Sequence, residues 1–344
     1  MTVKPPYYVP SMQEIKALKP NGYKVASTFS GAGGNCLGYR MAGYKVLYAN
    51  EFIPEAQNTY VANHPESYLD RRDIREVQPN EILDIMKLKR GELDLFDGSP
   101  PCASFSTAGN RQKDWGKVKA YSDTKQRTDD LFYEYIRIMD GLHPKVFVAE
   151  NVSGLVKGAA KGYFKEILLA MKKCGYQVTA KVLDASWLGV PQKRQRLIFI
   201  GVRNDLERQP VFPKPLPYYY TVRDAWQGLE DTGPSFEGYA IYEASKKTNK
   251  RGQSDKYFQL VKLLWDQPAN TICSTWGLGN ATIIHPDKPV YPSIEQLKRL
   301  SAFPDDFLLT GDFKKQWERI GRAVPPVLMS HIAKTIQTEI LDTL

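Results

Sequence analysis

The sequence predicts an α/β fold, a parallel sheet with helices on both faces, followed by a second, smaller and loop-rich domain. Three observations carry this reading. Short apolar runs alternate with helix-spaced stretches from Lys24 to Val202, and that rhythm builds crossover-connected parallel strands. After Arg203 the texture changes to prolines (Pro210, Pro213, Pro215, Pro217) and the run Tyr218-Tyr219-Tyr220, with little periodicity. The 344 residues suffice for about two domains.

The elements follow in order. Lys24 to Phe29 reads as a buried strand ended by the glycine cluster of residues 31–34, and a helix-length stretch runs on through Gly38 to Ala42. Tyr44 to Ala49 is a second strand, Glu55 to Ala62 a helix and Leu93 to Phe96 a further strand. Leu131, Phe132, Tyr135, Ile136 and Met139 recur at helical spacing over 131–142. Val146 to Ala149 is again a strand, Tyr163 to Met171 a helix and Arg196 to Val202 a strand. Helical character returns over 294–301 and 326–341.

Composition narrows the class. With 42% apolar and 25% charged residues the chain is not wholesale disordered, and no window approaches 18 uncharged apolar residues. Residues 1–20 lack the apolar core of a secretory signal. Cysteines at 36, 102, 174 and 273 form no CxxC, and histidines at 64, 143, 285 and 331 form no HExxH, so neither a disulfide framework nor a metal site is expected. The expectation is a reduced, cytoplasmic chain without a membrane partner. Lys and Arg number 47 against 38 Asp and Glu, and the resulting +9 permits a polyanionic partner without establishing one.

Four stretches carry chemistry. Phe29, Ser30, Gly31, Ala32, Gly33 and Gly34 lie between strand and helix, where glycines let the backbone turn tightly under a ligand. Glu51 closes the next strand, where a carboxylate can accept both hydroxyls of a ribose. Cys36 stands where a dinucleotide fingerprint wants its third glycine, which favours an adenosine ligand without pyrophosphate; a tight turn beside a surface acid is the plainer alternative. Asp97-Gly98-Ser99-Pro100-Pro101-Cys102 delivers a cysteine to the carboxyl end of the sheet, either a nucleophile or a buried small apolar residue. The polar segment 109–127 after it has the look of a lid. Glu150-Asn151-Val152 puts a carboxyl at another strand end, for proton traffic or as part of a helix cap. In Gln192-Lys193-Arg194-Gln195-Arg196, alternation sends Arg194 and Arg196 to one side, for anion or base-edge recognition or as a solvated charge run.

Together these motifs resemble the DNA (cytosine-5)-methyltransferase family of prokaryotic type, from about Val25 to Ile336 and more weakly over 204–260. The resemblance implies a Rossmann-like S-adenosylmethionine-dependent methyltransferase fold with a smaller target-recognition domain. Residues 1–203, completed by 319–344, would form the catalytic domain, and 204–318 the recognition domain. S-adenosylmethionine would be held by the 29–34 loop, by Glu51 and Phe52, by Asp73 and Ile74 at the adenine, and by Pro101, Leu131, Ala323 and Val324. The Cys102 thiolate would add to cytosine C6, Glu150 would hold the N3 and N4 edge, and Arg194, with Arg196 in the same motif, would hold O2. The target base would flip out of duplex DNA. Thr271 and Ile272 match a family pair in the recognition domain, and Ser274 to Asn280 is the candidate recognition loop. A monomer is expected, and both a cognate restriction endonuclease as companion and an orphan enzyme stay open.

Two departures stand out: Arg322 where the last motif usually has asparagine, and Ala103 after the cysteine instead of glutamine. Three rivals stay open at this point: a tRNA cytosine-5 methyltransferase, a silent DNA-binding regulator suggested by Arg322, and a nicotinamide enzyme. The positive charge is concentrated: 109–127 holds six basic and two acidic residues, 192–203 four and none, and 246–256 five and one. All three segments are expected to face DNA.

Overall fold

The computed structural model describes residues 3–101, 119–121, 124–126, 130–158, 160–235, 260–277 and 282–344. Cys102, Ala103, most of the 109–127 segment, the basic stretch 246–256 and the end of the 274–280 loop lie outside the described residues.

In chain order the elements are α1 (Met12–Ala17), β1 (Lys24–Thr28), α2 (Gly34–Met41), β2 (Lys45–Asn50), α3 (Pro54–Asn63), β3 (Tyr68–Asp70), α4 (Pro79–Met86) and β4 (Leu95–Gly98). A short antiparallel pair, β5 (Lys119–Tyr121) and β6 (Thr124–Gln126), precedes α5 (Leu131–Leu142). Then come β7 (Val146–Val152), α6 (Ala160–Lys173), β8 (Tyr176–Asp184), β9 (Gln195–Arg203), α7 (Val222–Trp226), β10 (Leu260–Lys262) and β11 (Thr282–Ile284). The helices α8 (Ile294–Leu300), α9 (Phe313–Arg322) and α10 (Pro326–Glu339) end the chain.

The described chain divides into two compact units. The sheet unit comprises 17–183, 195–213 and 329–344. Its seven strands run in the order β3-β2-β1-β4-β7-β9-β8. The strands from β3 to β7 are parallel, as expected, but β9 is antiparallel to β7, so the sheet is mixed and not wholly parallel. Order reverses beside β1, so the β1 and β4 carboxyl ends flank a topological switch point, where open α/β sheets bind ligands.

Period-two alternation sorts the two faces. Ala26, Phe96, Phe147, Ala149 and Phe199 pack with residues of α4, α5 and α6 in one cluster. The helices show the matching spacing: Leu131, Phe132, Tyr135, Ile138, Met139 and Leu142 of α5 are all buried. Asp97, one residue on from Phe96, turns to the other face and meets Asn35 and Tyr39 of α2. The end of α10 joins this unit, burying Met329, Ile332, Ala333 and Ile336, and the Ala333 carbonyl accepts from the Tyr44 hydroxyl.

The smaller unit comprises 1–16, 184–194 and 214–328. Its core gathers Val222, Trp226, Leu263, Ile272, Ile284, Leu297, Leu300 and Trp317 around the parallel pair β10–β11. Capping boxes at Thr221 and Ser293 start α7 and α8. These boundaries correct the expected ones in four places. Residues 1–16 belong here because Tyr7 and Met12 bond Arg299 and Asp306. Residues 184–194 belong here because the Lys193 amide donates to the Ala269 carbonyl and Gln192 donates to Leu300. Residues 204–213 instead stay with the sheet unit, where Arg208 bonds Thr343. The return to the sheet unit begins at Met329 and not at Arg319.

Candidate active site

The glycine turn between β1 and α2 is built from left-handed backbone. Phe29, Gly31 and Gly33 have φ of 54°, 55° and 89°, a region that costs a non-glycine residue free energy. Gly33 is doubly constrained, since a Cβ there would stand 2.3 Å from His64 Nε2. Above Gly31 a Cβ would meet nothing within 4 Å, so the backbone is open to a ligand at that point. Glu51 stitches this turn to the end of β2: its carboxylate accepts from the Gly31 and Ile53 amides, both at 2.7 Å. A carboxylate has about four acceptor positions, so these bonds leave it able to take ribose hydroxyls. Ser30 and Ala32 are buried, and Phe52 stands exposed beside Glu51.

Arg75 ties the expected adenine site together. Its guanidinium bridges Asp73 at 2.9 Å and Asp130 at 2.7 Å, which draws Asp73 and Ile74 toward the start of α5, where Leu131 is buried. Arg75 itself escapes a motif reading, although a basic residue two after the acid was its signal.

The nucleophile loop leaves β4 at Gly98. Asn151, after Glu150 in β7, donates to the Pro100 carbonyl at 3.1 Å, and so holds the chain two residues before Cys102. Pro101 is half-buried. Glu150 is buried and pairs with Arg196 Nε at 2.6 Å. The Glu150–Arg196 pair is thus a carboxylate and a guanidinium held side by side at the carboxyl end of β7, able to present an acceptor and donors to one flat polar ligand.

The two arginines do not act as a pair. Arg194 is 1% exposed, and its guanidinium donates to the carbonyls of Ile272, Gly321 and Ala323 within the smaller unit. In place of the open guanidinium expected for gripping a base, these bonds make it a backbone staple. Arg196 instead reaches Glu150 in the sheet unit.

Asp97 is the residue that motif reading passed over. It is fully buried, and it accepts from Ser27 Oγ at 2.9 Å, Asn35 Nδ2 at 3.0 Å and the Tyr39 hydroxyl at 2.9 Å. Burial pushes its carboxyl up to about 7 against the lowering pull of those bonds, with Glu150 adding to the rise. A lone acid inside an apolar strand was the sequence signal. Two of the described thiols are poor nucleophile candidates: burial raises Cys36, and pushes Cys174 up to about 11.

In the smaller unit, Ile272 is buried, its amide donates to Gln192 Oε1 and its carbonyl accepts from Arg194. It stands in the core of this unit, away from the surface on which a recognition contact was expected. Thr271 is half-buried and donates its hydroxyl to the Lys193 carbonyl. Ala323 and Val324 lie in this unit too, and Arg322 is drawn along α9 by Glu318 at 2.7 Å. Among the described residues no helix is long and apolar enough to cross a membrane.

A parallel sheet that ends on an antiparallel β7–β9 pair, with a glycine turn at its switch point, has the fold of an α/β methyltransferase. Solved structures of that class superpose on nearly the whole chain: a DNA modification methyltransferase encoded within an Escherichia coli prophage (TM-score 0.72, 23% identity, 93% of this chain and 100% of that one), and the Spodoptera frugiperda DNMT2 (TM-score 0.67, 18% identity, 92% and 100%). The model of the C-5 cytosine-specific DNA methylase family matches residues 23–338, and the chain belongs to that family. Among curated relatives, the Type II methyltransferase M.NgoPII of Neisseria gonorrhoeae is 30% identical over 364 residues, covering 95% of this chain and 98% of its own. M.MthTI of Methanothermobacter thermautotrophicus is 30% identical over 340 residues, covering 92% and 97%. The protein is a DNA cytosine-5 methyltransferase.

Proposed function

We propose that the protein methylates C5 of a flipped-out cytosine within a specific duplex DNA sequence, through a covalent adduct between Cys102 and C6. The observation that carries this reading is the Glu150–Arg196 pair at 2.6 Å, beside a nucleophile loop that Asn151 anchors at Pro100. The residues of the glycine turn fit S-adenosylmethionine: open space over Gly31 and an oriented Glu51 carboxylate suit an adenosine ligand, with Asp73 and Ile74 at its base. When bound, that cofactor supplies an electrophilic methyl group.

The chain's own work starts with the thiolate. Cytosine C5 is a weak nucleophile until Cys102 adds to C6, which pushes electron density onto C5 and the N3 edge. Glu150 hydrogen-bonds that edge and stabilises the adduct. Arg196, and not Arg194, holds O2, since its guanidinium already lies on Glu150. After C5 gains the methyl group, a base takes the C5 proton and the C6–S bond breaks, which returns the thiolate. C6 is out of reach in a stacked duplex, so the base must leave the helix.

The smaller unit serves as the recognition domain, with Arg194, Gln192 and Thr271 shaping the backbone that presents the 274–280 loop. The basic segments 109–127 and 246–256 contact phosphates, and charge reversal in 246–256 weakens binding without touching the chemistry. The enzyme acts as a cytoplasmic monomer, with a cognate endonuclease as in a Type II restriction-modification system. Transfer of a tritiated methyl group to duplex DNA, to tRNA and to neither, by wild type and Cys102→Ala, tests the proposal. Transfer to tRNA alone, or turnover in the mutant, would sink it.

A further inference from the structure

We propose that Asp97 is a positioning residue whose buried carboxylate locks the cofactor loop and the nucleophile loop into one hydrogen-bonded unit, so that filling the cofactor site sets the reactivity of Cys102. The inference rests on the proposed function and adds a residue and a coupling to it.

The network can be followed atom by atom. Ser30, within the glycine turn, donates its hydroxyl to Ser27 Oγ at 3.1 Å, and Ser27 donates on to Asp97 Oδ2 at 2.9 Å. Tyr39, from the next turn of α2, donates to Asp97 Oδ1 at 2.9 Å. Asn35, in the first turn of α2, donates one N–H to Asp97 Oδ2 at 3.0 Å and the other to Ser99 Oγ at 2.9 Å. Ser99 stands three residues before Cys102. One carboxylate oxygen, Oδ2, thus meets both the turn that would seat the cofactor, through Ser27, and the strand exit that leads to the nucleophile, through Asn35, while Oδ1 takes Tyr39.

The Asn35 amide shows that the carboxylate imposes this arrangement. Asn35 is 4% exposed and its Oδ1 has no partner among the described residues. A buried acceptor left without a donor is unfavourable. An ionised Asp97 accepts and never donates, so it turns the NH2 face of the amide toward β4 and commits the second N–H to Ser99. With a neutral group at 97 the amide is free to turn and let its own oxygen accept from the Ser99 hydroxyl. The direction of the bond to the nucleophile loop, and with it the orientation that the Asn35 amide imposes on Ser99, therefore depends on the charge. Nothing else in the described β4 requires an acid: its neighbours Leu95 and Phe96 are fully buried apolar residues.

The test uses the full-length protein without DNA at pH 8, above the value of about 7 to which burial pushes the Asp97 carboxyl. Cys102 is alkylated with iodoacetamide and followed by peptide mass spectrometry, with and without saturating S-adenosylmethionine, while calorimetry reports cofactor affinity. In wild type the cofactor should change the alkylation rate by a factor within roughly 5–150, the ordinary range for coupled sites. In Asp97→Asn and in Ser99→Ala the factor should collapse to about twofold or less, well below that range. Ser99→Ala removes a half-buried loop hydroxyl, so it keeps the test alive if Asp97→Asn fails to fold. A merely structural stitch would alter stability and leave the factor intact. A wild-type factor near one, or an unchanged factor in Ser99→Ala, would overturn the inference while leaving the proposed function standing. Failure of wild type to bind the cofactor, or turnover in Cys102→Ala, would sink the proposed function and the coupling with it.

Discussion

Two groups of buried polar side chains, one around Asp97 and Glu150 in the sheet unit and one around Arg194, Lys298 and Trp226 in the smaller unit, are satisfied in opposite ways. In the sheet unit those side chains meet one another at strand ends: Asp97 with Ser27, Asn35 and Tyr39, and Glu150 with Arg196. In the smaller unit they meet backbone: Arg194 on three carbonyls, Lys298 on the carbonyls of Asp305 and Phe307, and Trp226 on the carbonyl of Gln296. The cause is how each unit satisfies its peptide groups. A seven-stranded ladder pairs its own backbone and leaves side chains free for chemistry. A unit whose described ladder is one short parallel pair must spend side chains on orphan carbonyls. Arg194 and Arg196 stand two residues apart, yet the first bonds backbone carbonyls of the smaller unit and the second the Glu150 carboxylate of the sheet unit.

The sharpest way to break the comparison is at the sheet unit's carboxyl edge. Cys102→Ala should abolish methyl transfer and leave DNA binding largely intact, as a filter-binding assay beside a methylation assay would show. Glu150→Gln should come next, costing about 10²–10⁴ in single-turnover rate. The two arginines then separate the units directly. Arg196→Ala should lower the single-turnover rate with an almost unchanged urea midpoint, whereas Arg194→Ala takes a donor from two buried carbonyls and one half-buried one and should cost roughly 3 kcal/mol of stability. Equal loss of stability in both mutants would erase the distinction.

The pH dependence of folding carries the comparison into the buried network. The Asp97 carboxyl, raised to about 7, keeps its proton in the folded chain across a window where the unfolded chain has lost it. Its contribution to stability is therefore complete below about pH 4 and gone as the pH passes about 7. Relative to Asp97→Asn, wild type should lose stability over that interval by an amount on the order of a few kcal/mol, measured by denaturant titration at several pH values. A difference that stays flat with pH would show that the carboxyl is not perturbed. Ionisation above about pH 7 thus opposes stability. The smallest of these effects is expected at Gly33→Ala, where a left-handed φ of 89° and the nearby His64 ring should cost about 1–3 kcal/mol and weaken cofactor binding in calorimetry.

Much of the sheet was legible in advance because buried strands read as apolar runs: the parallel β1, β2, β4 and β7 and the antiparallel β9 all lie on such runs. The strands that escaped had no such run. β3 has three residues, and β8 alternates weakly, with much of its length exposed. The direction of β9 was equally hidden, since strand composition does not say which way a strand enters a sheet.

The sequence by itself therefore determined the α/β class, the glycine turn, the acids at strand ends and the family, because each rests on local spacing or on motif order. Only the tertiary structure decided that Arg194 is a staple and Arg196 a partner of Glu150, that Ile272 is core, and that Asp97 gathers three donors. Those partners come from far along the chain: Arg194 bonds Gly321 across 127 residues, and Asp97 meets Asn35 across 62. Which side chains meet over such separations is set by how the strands and loops pack, and no local pattern records it.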